Sequence, residues 1–385
     1  MKKKTSRPKK KRIAVVVGTR PEAVKLAPVI QELARSTMLS PLTVNTCQHR
    51  QMVAQIFADF GITSDFDLDV MRPRQTLWGL TARVSQAMGD FLTQHQVDAV
   101  LVQGDTTSAY VGGLSAFYHK IPVGHVEAGL RSGDLYSPFP EEINRRMIGT
   151  LATWHFAPTT RSRDLLLAEN TNPRSIYICG NTVVDALHWM IRRLKTRGRI
   201  PRGPNRGRPL VLITCHRREN IGEPMAAVAR AIARLARKHP GTDFVFPVHP
   251  NPAVREVVTP ILSKSPNIQL TEPMDYDNFL AHLVRSHLVL SDSGGVQEEA
   301  TSLGKPVLLL RRETERPEGI EAGVVKMAGT EENRIYRLAD ELLRSPTAWA
   351  AMARGSKVFG DGKSARRIVR ILEKSLSGNL TARPR

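Results

Sequence analysis

The chain has 385 residues, is 41% hydrophobic and carries a formal net charge of +20. That length suggests two domains, and the apolar content suffices for ordinary globular cores. No segment approaches the ~18 consecutive apolar residues of a membrane span, and three scattered cysteines with no CxxC pair argue against a disulfide framework or a zinc site.

The basic excess begins at the first residues: Lys2, Lys3, Lys4, Arg7, Lys9, Lys10, Lys11 and Arg12 supply eight of the positive charges. Residues 1–12 read as a disordered, solvated extension. The apolar run behind them stops at Gly18, too short for a signal-peptide core. Secretion is therefore not expected, and Cys47, Cys179 and Cys215 read as reduced packing thiols of a cytoplasmic protein.

From Ile13 onward, strands and helices alternate. Ile13–Val17 reads as a strand and Glu22–Arg35 as a helix with a kink or restart at Pro28. Leu42–Cys47 is a strand, Met52–Phe60 a helix closed by Gly61, and Leu77–His95 a long helix. Asp98–Gln103, Pro122–Val126, Trp154–Ala157 and Ser175–Gly180 are strands, separated by helices over Thr107–His119, Glu141–Thr153 and Thr160–Glu169. A helix over Val183–Arg193 follows, and Arg192–Pro209, rich in Arg, Gly and Pro, reads as an exposed linker. The alternation then resumes. Strands over Leu210–Thr214, Asp243–Val248, Ile268–Thr271, Leu288–Ser291 and Pro306–Leu310 alternate with helices over Pro224–His239, Ala253–Ser263, Tyr276–Ser286 and Val296–Leu303. Glu332–Leu343 and Ala365–Leu376 are helices at the end. This succession marks parallel sheets covered on both faces. A boundary near Gly180 divides residues 13–180 from 181–364, with the helix 365–376 crossing back to the first domain.

In such sheets ligands sit beyond the carboxyl ends of the strands. In the first half, Gly18-Thr19-Arg20, Gln48-His49-Arg50, Gly104-Asp105-Thr106 and His125-Val126-Glu127 all follow apolar strands. A parallel sheet therefore lines up Arg20, Lys25, His49, Asp105, His125 and Glu127 along one edge. Glu141 and Arg145 lie one helical turn apart, a spacing that suits a surface ion pair as well as a fixed catalytic carboxylate. In the second half, His216-Arg217-Arg218 and His249-Pro250 end two strands. Arginines there suit phosphate recognition. Ser293-Gly294-Gly295 leads from a strand into a helix, and bare backbone N–H groups at a helix start bind anions. Glu299, one turn on, could accept hydrogen bonds from a ribose diol. The chain has no G-x-G-x-x-G, no G-x-x-x-x-G-K-[ST] and no H-E-x-x-H, which weighs against a dinucleotide cofactor and a Walker-type ATPase.

Taken together, GTRPEAVKLAP (18–28), QHRQM (48–52), VQGDT (102–106), HVEAGLRSGDLYSPFPEEINRR (125–146), GNTVVDAL (180–187), HRREN (216–220), VHPNP (248–252), SDSGGVQEEA (291–300) and ERPEGIEAG (315–323) resemble the motifs of the non-hydrolysing UDP-N-acetylglucosamine 2-epimerases. The resemblance runs from about Ile13 to about Leu343; Cys47 departs from it, where a small residue is usual before Gln-His. It implies two Rossmann-like α/β domains in a GT-B arrangement with the active site in the cleft between them. It also implies reversible conversion of UDP-GlcNAc to UDP-ManNAc, usually in a homodimer, with no cofactor and no metal. Arg20, Lys25, Asp105, Glu127, Glu141, Arg145 and His216 would surround the sugar and diphosphate, with Asp105, Glu127, Glu141 and His216 as the catalytic groups. Phe279, Ser293, Gly294, Gly295, Glu299 and Arg316 would hold the uridine diphosphate. Gln48, Gln51, Arg74, Glu142 and His249 fall where family members carry a second, activating UDP-GlcNAc site. Hydrolysis of the same substrate and glycosyl transfer are the competing chemistries. Nucleic-acid or membrane binding through the basic tail is the non-enzymatic one; neither a nucleic-acid partner nor a membrane span is expected.

Overall fold

The computed structural model of the chain describes residues 9–200 and 207–378. Residues 1–8 of the basic tail and 201–206 of the expected linker lie outside the described residues. The chain divides into two units, one of residues up to Ala186 plus Gly360 onward, the other Leu187–Phe359.

In the first unit the strands are β1 (Lys11–Val17), β2 (Leu39–Asn45), β3 (Phe66–Asp67), β4 (Ala99–Gln103), β5 (Val123–Val126), β6 (Trp154–Ala157) and β7 (Ile176–Ile178). Among the described residues they form a seven-stranded sheet in the order β3-β2-β1-β4-β5-β6-β7, and every neighbouring pair is parallel. The central strands read as unbroken apolar runs because both faces are covered. Ile13 to Val17 and Ala99 to Val102 are fully buried, and Val16, Val100 and Val102 pack with Met88 and Val111 of the flanking helices. Threonines start three of those helices: Thr76, Thr106 and Thr159 each accept a backbone N–H from the first turn. Gly61, at φ 65°, closes the helix Arg50–Phe60, as the sequence suggests.

The second unit holds β8 (Leu210–Thr214), β9 (Asp243–Pro247), β10 (Ile268–Thr271), β11 (Leu288–Ser291), β12 (Val307–Leu309) and β13 (Val325–Met327). Its described strands form an all-parallel, six-stranded sheet ordered β10-β9-β8-β11-β12-β13. The helix Glu223–Lys238 buries Val228, Ile232 and Leu235 on one stripe against Val211, Ile213 and Phe246. Relative to its first strand, each sheet runs third-second-first-fourth-fifth-sixth, the doubly wound order, with β7 added in the first unit. The order reverses between β1 and β4 and again between β8 and β11. Those two gaps are where such sheets bind ligands.

The helix Arg20–Arg35 runs through Pro28 without a restart. Pro28 lacks the N–H that Val24 would accept, but it is buried on the packed face, and tertiary contacts hold the helix across it. The helix Thr182–Thr196 extends into the stretch expected to be linker. Buried Val183, Leu187, Met190 and Leu194 continue an apolar stripe that the Arg-rich composition obscures. Six short elements of the described residues have no counterpart among those expected from sequence: β3, β13, helices Glu318–Glu321 and Pro346–Met352, and the 3-10 turns Pro173–Ser175 and Arg218–Asn220. Two or three residues show no periodicity, although Ser345 before Pro346 is a legible cap signal, since its side chain accepts from Ala348 N–H.

The helix Ser364–Leu376 packs against Arg20–Arg35. Ser36 donates to Glu373 at 2.6 Å, and Asp185 accepts the Ser364 and Ala365 amides at 3.1 and 2.9 Å. All three cysteines are free and buried. Among the described residues no helix is long and apolar enough to cross a membrane.

Candidate active site

In the first unit the gap between β1 and β4 is built from the loops that follow them. The carboxylate of Glu22, 1% exposed, accepts from the Gly18 and Thr19 amides at 2.9 and 2.6 Å and from the hydroxyls of Thr19 and Thr106. It ties the two loops together. Burial raises its pKa against those hydrogen bonds. A Cβ on Gly18 would lie 2.4 Å from the Ser108 hydroxyl and 2.6 Å from that of Thr46, so only glycine lets the loops approach. Arg20 opens the helix at this gap, half-buried and with no acidic partner among the described residues.

Glu127 follows β5 with φ 65°, a left-handed conformation that a non-glycine residue rarely adopts. That backbone turns its side chain into a fully polar nest. Lys25 donates to its two oxygens at 2.5 and 2.7 Å, Asn181 donates at 2.8 Å, and Gln103 also donates. Lys25 and Glu127 are 8% and 7% exposed. Asp105 follows β4, with its side chain 26% exposed; it pairs with Arg145, while Asn144 donates to its backbone oxygen at 2.9 Å. Burial pushes the Asp105 pKa up, Arg145 opposes that, and the charge of Glu127 adds to the rise. Two carboxylates thus share one gap and repel each other's ionised form.

Arg145 also meets Glu142 at 3.3 Å. Glu142 is fully buried and accepts from the Ser132 amide and from Arg146. Glu141 is half-buried at the start of its helix, Glu141–Leu151. Gln48 accepts from Ser108 at 2.8 Å, Gln51 is exposed, and Arg74 is exposed with φ 53°. His125 lies behind the gap, 1% exposed, with Nε2 donating to the Gly104 carbonyl at 2.7 Å. Burial lowers its pKa to about 3, so it is a neutral structural post rather than an acid or base. Because the unfolded chain then binds the extra proton, stability rises with pH and is lost below about 6.5. At pH 5 this residue costs about 2 kcal/mol. Urea unfolding of His125→Gln between pH 4 and 7 is expected to show an acid limb shallower by up to one proton.

In the second unit the gap lies between β8 and β11. Asp292, fully buried, holds the turn after β8: its Oδ2 accepts the His216 and Arg217 amides and the Asn220 side chain at 2.9, 2.8 and 3.0 Å. The ring of His216 stacks on His249 with centroids 5.9 Å apart. Ser293 caps the helix Gly294–Ser302, whose first N–H groups open onto the gap. A Cβ on Gly294 would stand 2.5 Å from Nη1 of Arg316, whereas Gly295 has open space. Arg316, 7% exposed, is held by Glu298 at 2.6 Å and Glu315 at 3.1 Å. Burial lowers the pKa of Arg217, and the neighbouring Arg311 and Arg316 charges lower it further. Glu315 and Glu219 oppose that fall, and Arg311 and Arg316 are already paired with Glu219, Glu298 and Glu315, so the three guanidinium groups share this corner with their counterions. Glu299 is buried and accepts from the Tyr276 hydroxyl at 2.6 Å. Phe279, one turn after Tyr276, is half-buried.

The structure therefore gathers Lys25, Asp105, Glu127 and Arg145 in one unit, and His216, His249, Gly294, Gly295, Glu299 and Arg316 in the other. It adds Glu22, Gln103 and Asn181 to the first group and Tyr276, Asp292 and Arg311 to the second. Gln103 and Asn181 stand inside short polar runs at strand ends, where a reader could have found them. Tyr276 and Arg311 carry no local signal. Among the described residues no cluster of His, Cys, Asp and Glu could hold a metal ion.

A family-wide sequence model described as UDP-N-acetylglucosamine 2-epimerase matches residues 31–373. The UDP-N-acetylglucosamine 2-epimerase of Bacillus subtilis is 47% identical over 362 residues, which cover 94% of each chain. The crystal structure of the UDP-GlcNAc 2-epimerase from Neisseria meningitidis bound to UDP-GlcNAc is similar with a TM-score of 0.90 at 43% identity, covering 94% of this chain and 100% of that one. The Methanocaldococcus jannaschii enzyme, solved in complex with UDP-GlcNAc and UDP, is similar with a TM-score of 0.81 at 31% identity, covering 94% and 99%. With two doubly wound sheets, the shared fold and matches over nearly its whole length, the chain belongs to the UDP-N-acetylglucosamine 2-epimerase family of isomerases.

Proposed function

We propose that the protein interconverts UDP-GlcNAc and UDP-ManNAc by expelling UDP and adding it back. The C2 hydrogen of the sugar has no neighbouring carbonyl and is poorly acidic. Loss of UDP from C1 together with the C2 proton gives a glycal. Reprotonation from the opposite face and return of UDP then invert C2. The observation that carries this reading is the pairing of Glu127 with Asp105 in one polar gap, each bound to its own cation and each raising the cost of the other's charge. Such a pair supplies an acid and a base at one pH. We assign Asp105, Glu127 and Glu141 to proton transfer at C2, with Lys25 and Arg145 fixing the carboxylates.

On this reading the second unit takes the uridine diphosphate of the same substrate. Gly294, Gly295, Ser293 and Arg316 receive the diphosphate, joined by Arg20 and His216, and Phe279 and Glu299 receive the uridine. The N–H groups at the helix start and the guanidinium groups stabilise charge on the departing group. A second UDP-GlcNAc bound by Gln48, Gln51, Arg74 and His249 is proposed as an activator, with Glu142 acting behind it through Arg145. Initial rates are then expected to rise sigmoidally with UDP-GlcNAc. We also propose a cytoplasmic homodimer that supplies ManNAc-type sugars for cell-surface polysaccharide.

The deciding experiment is proton NMR of UDP-GlcNAc with the purified protein in heavy water. UDP-ManNAc is expected as the minor equilibrium product, with deuterium at C2 of both sugars. Stoichiometric free UDP would mean hydrolysis instead, and turnover that needs an acceptor and leaves C2 protonated would mean glycosyl transfer.

A further inference from the structure

Asp292 uses only half of its carboxylate in holding the β8 turn. Oδ2 accepts three N–H donors, whereas Oδ1 is buried and has no hydrogen-bond partner. An unsatisfied buried carboxylate oxygen costs more than an ordinary lost hydrogen bond, so its neighbour is informative. Nδ1 of His216 lies 3.5 Å from that oxygen. The His216 side chain is 43% exposed on its other side, and His249 stacks flat on the ring with an interplanar angle of 10°, which leaves the ring edges free. The thiol of Cys215 also faces Asp292; burial first, and then the Asp292 charge and the thiol's interaction with that carboxylate, hold it well above the usual thiol range, so it stays neutral and is a weak S–H donor beside His216.

We propose that Asp292 is a positioning residue that keeps a proton on Nδ1 of His216 and so presents Nε2 to the departing diphosphate. At 3.5 Å the contact is long; it must tighten when the ring engages the diphosphate, as catalytic hydrogen bonds commonly do. In the elimination, the C1–O bond breaks with its electron pair passing to the diphosphate oxygen, which takes a proton carried on Nε2. Re-addition of UDP returns that proton to Nε2. Asp292 gains no proton at any point; its charge steadies the doubly protonated ring. This inference rests on the placement of His216 at the leaving group made under Proposed function.

The Asp292→Asn variant gives a sharp test because three N–H donors already claim one oxygen. The amide oxygen must take the Oδ2 position, so the NH2 group faces Nδ1 and forces the proton onto Nε2. The full-length protein, labelled with ¹⁵N-histidine and studied near pH 9, where imidazole is neutral, is expected to show His216 protonated on Nδ1. The variant is expected to show it on Nε2, with kcat lower by about 10²- to 10⁴-fold and KM and UDP affinity within about threefold. The wild-type tautomer alone tests the idea if the variant does not fold. Nε2 protonation in the wild type, or a kcat unchanged in the variant, overturns it, as does a loss that appears only in KM. Failure of the underlying reading looks different: His216→Asn would then epimerise at the wild-type rate.

Discussion

Replacing Glu127 with glutamine is expected to abolish deuterium incorporation at C2, with kcat/KM falling by about 10³-fold or more, and to cost about 3 kcal/mol of stability. The two effects have separate origins. Activity goes because the proposed proton-transfer group is now an amide. Stability goes because Lys25, 8% exposed, loses the carboxylate charge whose oxygens now lie 2.5 and 2.7 Å away and is left with one neutral amide oxygen and an NH2 group in place of the other. A buried ion is far more costly alone than paired. The double variant Lys25→Met with Glu127→Gln removes both charges together. It is expected to recover a large part of the lost stability and none of the activity, so the cycle measures the pair apart from the chemistry. Urea unfolding gives the first quantity and C2 exchange by NMR the second. Wild-type exchange in Glu127→Gln would remove this carboxylate from the reaction.

The sequence reveals the fold well because both sheets are parallel and doubly wound. Unbroken apolar runs such as Ile13–Val17 and Leu210–Thr214 have both faces covered, and each is followed by glycine or a polar turn. What it conceals is of two kinds. Elements as short as Phe66–Asp67 borrow their strand character from the neighbour they pair with, so no local period exists to read. The helix through Pro28 persists because its buried face outweighs one missing hydrogen bond, which is a tertiary effect. The candidate site divides the same way. Residues at strand ends, Asp105, Glu127 and Gly294 among them, are legible from position alone. Their partners are not: Lys25 and Glu127 are 102 positions apart, and Asn181 reaches the same carboxylate from beyond β7. The i,i+4 spacing marks Glu141 and Arg145, yet Arg145 also reaches across to Asp105, forty residues earlier. Folding brings that ion pair together, and helical periodicity gives no sign of it.

Two adjacent glycines are expected to respond in opposite ways to the same added methyl group. At Gly294 a Cβ would fall 2.5 Å from Nη1 and 2.9 Å from Cζ of Arg316. That guanidinium cannot step aside freely, because Glu298 and Glu315 hold it at 2.6 and 3.1 Å in a buried setting. Gly294→Ala should therefore destabilise the protein by about 1–3 kcal/mol and weaken UDP binding by displacing Arg316. At Gly295 nothing lies within 4 Å of an added Cβ, and alanine suits a helix better than glycine by about 0.5–1 kcal/mol. Gly295→Ala should thus melt no lower than the wild type. If the diphosphate rests on the N–H groups that begin this helix, the new methyl occupies the ligand's space, and UDP affinity should fall about tenfold or more in a protein that is no less stable. Thermal unfolding and calorimetric titration with UDP separate the two outcomes. Wild-type UDP affinity in Gly295→Ala would place the diphosphate elsewhere on this unit, since the added Cβ meets no protein atom within 4 Å and its effect on binding is then a contact with the ligand.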